Sequence, residues 1–98
     1  MLAELSIIPL GEGAHISQEL ARVLKIVKGS GVSHQLTPAG TCLEGSWDEV
    51  MTTIRLCHQA VRENSSHVIT TIKIEDEQGE NNKLVQNVAS VEEKAGAL

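Results

Sequence analysis

The chain has 98 residues, 41% of them hydrophobic, and a formal net charge of -5 from 13 acidic and 8 basic side chains. That length makes one domain, residues 1–98, with enough apolar content for a single core, which argues against a disordered chain. Trp47 is the only aromatic residue, so the core is aliphatic. With no basic stripe and no stacking platform, the composition disfavours both nucleic acid and anionic membrane surfaces as partners.

The longest apolar runs are too short to span a bilayer, and "MLAELSIIPL" carries Glu4 and no basic leader segment, so it does not read as a signal peptide. Cys42 and Cys57 form no CxxC pair, and a cytoplasmic protein with reduced thiols is expected.

In chain order, "AELSII" (residues 3–8) alternates as a strand, with Ala3, Leu5 and Ile7 on one face and Pro9 ending it. The loop "PLGEGA" follows, its glycines free to adopt left-handed conformations. Ile16, Leu20, Val23, Leu24 and Val27 then recur at helical spacing, predicting a helix with one core-facing stripe. Ser17 is the candidate N-cap, Glu19 suits the first turn, and Gly29 is the expected stop.

"VSHQL" (32–36) reads as a strand, "TPAG" as a tight turn and "TCLE" (41–44) as a third strand, so residues 32–44 make a hairpin. "SWDE" is a capping box in which Ser46 caps and Glu49 reaches back. It opens a helix that runs to about Arg62 and lines up Val50, Ile54, Cys57 and Val61. "HVITTIKIE" is a β-branched fourth strand. After "DEQGEN" comes a last helix with Leu84, Val85, Val88 and Val91 on one side. The order βαββαβ plus a helix predicts an α+β, ferredoxin-like sandwich with a four-stranded antiparallel sheet and an additional C-terminal helix. The first and third strands are central there, and one sheet face is left open to a ligand, a partner or a second copy.

His15, His34, His58 and His67 fall on different elements and make no metal-ligand spacing. Solvated or singly bonded histidines are the plainer account. Cys57 occupies a core helical position, and Cys42 has no flanking cation to activate it. Ser6, Thr41 and Cys42 sit in no nucleophile elbow. The acylphosphatase chemistry hosted by this fold uses an arginine after the first strand, and "PLGEGAHIS" has none. Its glycines, just before a helix, could cradle an anion, but Glu12 would repel a phosphate. A plain strand-to-helix connection accounts for them.

Glu44 in "GTCLEG" is the remaining candidate. Either it is a strand-end carboxylate, solvated or paired with Lys73, or it joins Ser6, Gln35 and Thr71 in a polar patch on an aliphatic sheet. In the second case it could accept from an amino-heteroaryl N–H or offset a cationic ligand. Alternation groups Ser6 with Glu4 and Ile8, and Glu44 with Cys42; Thr41 either points the other way or sits at the turn. Trp47 could wall a pocket, but in the first turn of its helix it is expected to pack.

The segments "LSIIPLG", "HQLTPAGTCLEGSWDEV" and "VITTIKIE" together resemble the small thiamine-binding proteins of the YkoF-like type, over residues 3 to about 75. The resemblance implies a ferredoxin-like domain that forms a homodimer and usually a homotetramer, a dimer of dimers. It implies binding of thiamine or its hydroxymethylpyrimidine portion as a ligand, with no catalytic activity and no further cofactor. Matched segment by segment, it points to Ser6, Thr41, Glu44 and Thr71 as ligand-binding positions. "EDEQGENN" is more acidic than the resemblance leads one to expect. The rival reading is an oligomeric structural or regulatory module that binds no ligand.

Overall fold

The computed structural model describes residues 1–11 and 15–98; the anion-cradle reading at Glu12 lies outside the described residues. The elements are β1 (Leu2–Pro9), α1 (Ile16–Ser30), β2 (Ser33–Thr37), β3 (Gly40–Glu44), α2 (Trp47–Asn64), β4 (Val68–Glu75) and α3 (Lys83–Ala97). They form the expected α+β fold, with sheet order β2-β3-β1-β4 and every neighbouring pair antiparallel.

The alternation along β1 sets the two faces. Ala3, Leu5, Ile7 and Pro9 are buried beneath α1 and α2, whereas Leu2, Glu4, Ser6 and Ile8 turn to the open face. Leu43 joins the buried side from β3, Val23 and Val27 from α1, and Val50, Ile54, Cys57 and Val61 from α2. Each fully buried aliphatic side chain contributes about 1.5–3 kcal/mol, so this one layer carries the fold. Cys57 is a small hydrophobe within it, and burial pushes its thiol pKa up to about 11.

The α2 capping box is present in full: the Glu49 N–H donates to Ser46 Oγ at 3.2 Å, and the Ser46 N–H donates to Glu49 Oε1 at 3.3 Å. Elsewhere the helix ends differ from expectation. The α1 N-cap is His15, with no side-chain bond, and Ser17 lies inside the helix. Gly29 does not stop α1. The chain turns at Gly31, whose φ of 77° is the left-handed geometry a C-terminal glycine supplies. Ser30 Oγ bonds the Val27 carbonyl at 2.6 Å and accepts from the Val32 N–H, completing that exit. Ile16 and Leu20 leave the core stripe and stand 48% and 41% exposed. Trp47, expected to pack, is 54% exposed.

The β2–β3 turn is wired through one hydroxyl. The Ala39 and Gly40 N–H groups donate to Thr37 Oγ1 at 3.2 and 3.1 Å, and that hydroxyl donates to the Gly40 carbonyl at 2.9 Å. Gly40 then lies flat on β1: a Cβ there would stand 2.7 Å from the Leu5 carbonyl oxygen. Backbone cannot yield as a flexible side chain can. Gly40→Ala is therefore expected to cost about 1–3 kcal/mol. Urea unfolding should show a lowered midpoint with an unchanged slope.

Candidate functional site

Two places on the sheet could take a small molecule, and they lie at opposite ends of β1. The first follows from a mismatch in strand length. β1 pairs with β4 along all of Leu2–Pro9, but its pairing with β3 ends at Leu5↔Thr41. Beyond Leu5, one edge of β1 has no strand beside it. Leu5, Ser6, Ile7 and Ile8 form the floor of a cleft of about 240 Å³ there, walled by Ile16, Leu20 and Val23 of α1 and by the turn from Leu36 to Thr41.

Its walls are largely aliphatic. Ile8, Ile16, Leu20 and Leu36 are 43%, 48%, 41% and 56% exposed and all border the same cleft. Large apolar side chains grouped around a concavity are the usual lining of a ligand site, with a few polar groups to orient what binds. Here the polar side chains are Ser6, half-buried on the open face, Thr41, 6% exposed on the helix side, and Thr37, whose hydroxyl is engaged by the turn.

The second place is the end of the sheet where Glu44 stands. Glu44 is opposite Leu2, four positions along β1 from Ser6, roughly 13 Å at about 3.3 Å per strand residue. Its carboxylate is already occupied. The Lys83 N–H donates to Glu44 Oε2 at 2.6 Å and the Leu84 N–H to Oε1 at 3.3 Å. These are the first two N–H groups of α3, which its own N-cap leaves unmet, because Asn82 is left-handed (φ 62°) and makes no side-chain cap bond. A carboxylate from a distant strand thus supplies the helix cap, where the dipole also favours negative charge. The pairing is neither solvation nor Lys73. Lys83 Nζ adds contacts to Glu75 at 3.0 Å and Glu77 at 2.6 Å.

The five sequence-predicted residues therefore do not form one patch. Ser6 and Thr41 line the 240 Å³ cleft. Thr71 is exposed beside Ser6 across the β1–β4 ladder. Gln35 is opposite Cys42, on the open face of the outer strand, and also exposed. Glu44 holds α3. Ile16 and Leu20 read as core stripe from helical periodicity alone, and nothing in "VSHQL" marks Leu36 for the cleft it borders. Of the histidines, His34 Nδ1 lies 2.9 Å from the Val32 carbonyl and His58 Nδ1 2.6 Å from Thr70 Oγ1. Among the described residues no group of three or more His, Cys, Asp or Glu could hold a metal ion, and no helix is long and apolar enough to cross a membrane. Burial, then the nearby Glu4 carboxylate, raise the Cys42 thiol pKa and keep it protonated.

A family model described as thiamine-binding protein matches residues 3–92. The chain belongs to that family. A UPF0045 protein of Methanothermobacter thermautotrophicus is 36% identical over 95 residues, with 94% of this chain and 96% of that protein covered. A Synechocystis UPF0045 protein is 34% identical over 71 residues, and this chain spans 59% of its length. Among solved structures, a hypothetical protein of Methanocaldococcus jannaschii superposes with a TM-score of 0.85 at 28% identity, covering 94% of this chain and 95% of that one. A proposed thiamine biosynthesis/salvage protein of Thermotoga maritima superposes at 0.79, covering 93% and 96%; at 14% identity that likeness speaks to the fold.

Two predictions follow from the α3 anchor. Glu44→Gln keeps the shape of the acceptor and removes its charge. It should weaken α3 by about 1–2 kcal/mol, read as faster amide exchange along Lys83–Ala97 with core amides unchanged. For acid, the sign comes from Glu75, whose pKa is lowered below 4.5 chiefly by its hydrogen bond from Lys83. A depressed carboxylate stabilises above its unfolded pKa and loses that contribution as pH falls through the folded one. Amide exchange in α3 should therefore accelerate, relative to the core, below about pH 4.5, and it should not do so between pH 6 and 8.

Proposed function

We propose that this chain is a non-catalytic binding protein for thiamine or its hydroxymethylpyrimidine portion, with the ring seated in the cleft beside the unpaired half of β1. The observation that carries the reading is that cleft, an apolar concavity with Ser6 and Thr41 in its lining, in a chain of the thiamine-binding protein family. Its volume, about 240 Å³, falls below the roughly 300–1,000 Å³ of sites that enclose a whole drug-sized ligand. A single pyrimidine ring suits it, and the thiazolium of thiamine would extend toward the open face, where Glu4 is exposed. On this reading Ser6 and Thr41 orient the ring, Thr71 lies at its margin, and Glu44 acts at a distance by holding α3.

The alternative is an interaction module, and a specific surface favours it. Val85, Val88 and Val91 of α3 are 55%, 53% and 66% exposed, and Ile8 and Ile69 are exposed on the open sheet face. A homodimer or homotetramer would cover such a surface, with or without a ligand.

Calorimetric titration with thiamine and with hydroxymethylpyrimidine separates the two. Under the binding reading both compounds titrate, and Ser6→Ala weakens them by about 2–10-fold, the effect of one neutral hydrogen bond. Glu44→Gln leaves affinity within about twofold. Absence of heat at millimolar ligand, with native mass spectrometry still reporting an oligomer, would establish the interaction module instead.

A further inference from the structure

The two edges of the sheet are unlike. β2 is five residues long, polar along most of its length and closed off by the Thr37–Gly40 turn. β4, the other edge, is eight residues of mostly β-branched side chains. It pairs with β1 from end to end without a bulge and contains no proline. Natural edges of that length are usually blunted by a proline, a bulge or a charge turned inward. Lys73, the only charge before the last residue of β4, lies on the open face opposite Glu4. Leu10 donates to the His67 carbonyl at 2.9 Å, in the same β1–β4 register. Because N–H and C=O directions alternate along a strand, Ile69, Thr71 and Lys73 turn their main-chain groups to β1. Thr70, Ile72 and Ile74 turn theirs to the edge, where no strand lies.

The layers on either side of the sheet also stop short at this edge. On the helix side α2 leaves Ile72 and Ile74 each 37% exposed. Met51, Ile54, Arg55, His58, Thr70 and Ile72 line a groove of about 350 Å³ between helix and strand. On the open face Ile69 is 50% exposed. One added strand would cover apolar side chains on both faces, and charge sets which strand fits. Where the chain enters β4, Arg62 is held by its bond to the Ser65 carbonyl at 3.3 Å. Where it leaves, Glu75, Asp76 and Glu77 run together, with only the Lys83 ammonium set among them. The strand that fits is acidic at its C-terminal end and runs antiparallel, so that this end lies over Arg62. β4 is itself such a strand.

We propose that the free edge of β4 pairs with β4 of a second copy, antiparallel about a two-fold axis at Thr71, joining the two four-stranded sheets into one. In this register Thr70 exchanges main-chain bonds with the partner's Ile72, and Ile74 with the partner's Val68. Glu75 comes opposite the partner's His67, and the Lys73 stem lies over the partner's Ile69. Moving the axis to Ile72 would instead set Glu75 against the partner's Ile69 and Asp76 against the partner's Val68, pairing carboxylates with aliphatic side chains. The two grooves meet across the axis, and each closes the other. The pairing is independent of what the cleft holds, since the cleft flanks the opposite edge of β1.

The test uses the whole chain carrying Cys42→Ser, which leaves the buried Cys57 as the remaining native thiol. Antiparallel residues that face each other without sharing hydrogen bonds have Cα atoms about 4.5 Å apart, within disulfide reach. Thr71 faces the partner's Thr71 in such a pair. Thr71→Cys should therefore form a covalent dimer on mild oxidation with diamide. Lys73 is also exposed, but its two copies stand roughly 13 Å apart, so Lys73→Cys should cross-link at least about tenfold more slowly. Ile72→Lys, which places a charge in the groove at the edge, should halve the mass that native mass spectrometry reports for the unsubstituted chain. If Thr71→Cys cross-links no faster than Lys73→Cys, or if folded Ile72→Lys keeps the original mass, the β4 pairing is overturned. An unsubstituted chain that is monomeric overturns it as well. Should Ile72→Lys fail to fold, the cross-linking comparison decides alone.

Discussion

The structure depends on a difference in length between two paired strands. β1 runs for eight residues and is matched throughout by β4, but β3 is only five residues long and pairs with the first half of β1. The turn at Thr37–Gly40 fixes where β3 begins, and the three hydrogen bonds to Thr37 Oγ1 fix the turn. Gly40, pressed against the Leu5 carbonyl, marks the point where the sheet stops being four strands wide. Everything that distinguishes the cleft follows from this. Side chains from both faces meet there, α1 begins beside it with aliphatic residues that have no core to enter, and one peptide edge of β1 is left without a strand.

The opposite end of the sheet solves a different problem. α3 has no buried residue, so the hydrophobic effect fixes its position only weakly. Its attachment is electrostatic and local: two N–H groups on the Glu44 carboxylate and one ammonium between Glu75 and Glu77. Glu75 and Glu77 are about half exposed, so solvent and salt screen the ammonium contacts and they hold the helix only weakly. The helix cap is the firmer tie, since it meets donors that Asn82 leaves open. A helix held at one end, with valines exposed along its length, is suited to burying that stripe against another surface.

Most of the architecture was legible in the sequence because it rests on periodicity. The period-2 pattern of "AELSII" gave the buried face of β1, the 3.6-residue pattern gave α2, and the Ser46–Glu49 box gave the start of that helix to the residue. The ends of α1 were not legible, for local reasons. Gly29 and Gly31 are both permissive, and only the backbone path, closed by Ser30 Oγ, decides which one turns left-handed. Ser17 could have capped, but α1 starts before it. Ile16 and Leu20 keep the helical period although the layer beneath them has ended, because a hydrophobic stripe does not record what it faces.

The candidate site was half legible for a related reason. The parity of a position along a strand decides its face, and parity can be counted: it placed Glu44 with Cys42, and Ser6 with Glu4 and Ile8, and it turned Thr41 to the other side. Register decides neighbours, and it depends on where a turn closes and where a ladder stops. Ser6 and Glu44 share a face, yet the register sets them four positions apart, so one carboxylate could not serve both the cleft and the helix cap. Glu44 was a sound candidate on chemical grounds, since a carboxylate on a central strand needs a partner. The partner proved to be the N-terminus of α3, 39 residues further along the chain. No spacing rule connects them, because the contact is made by the return of the chain after β4. The same holds for the cleft, whose floor from Ser6 to Ile8 is opened only by the early end of β3. A property that belongs to the place where two strands part company has no signature within either strand alone.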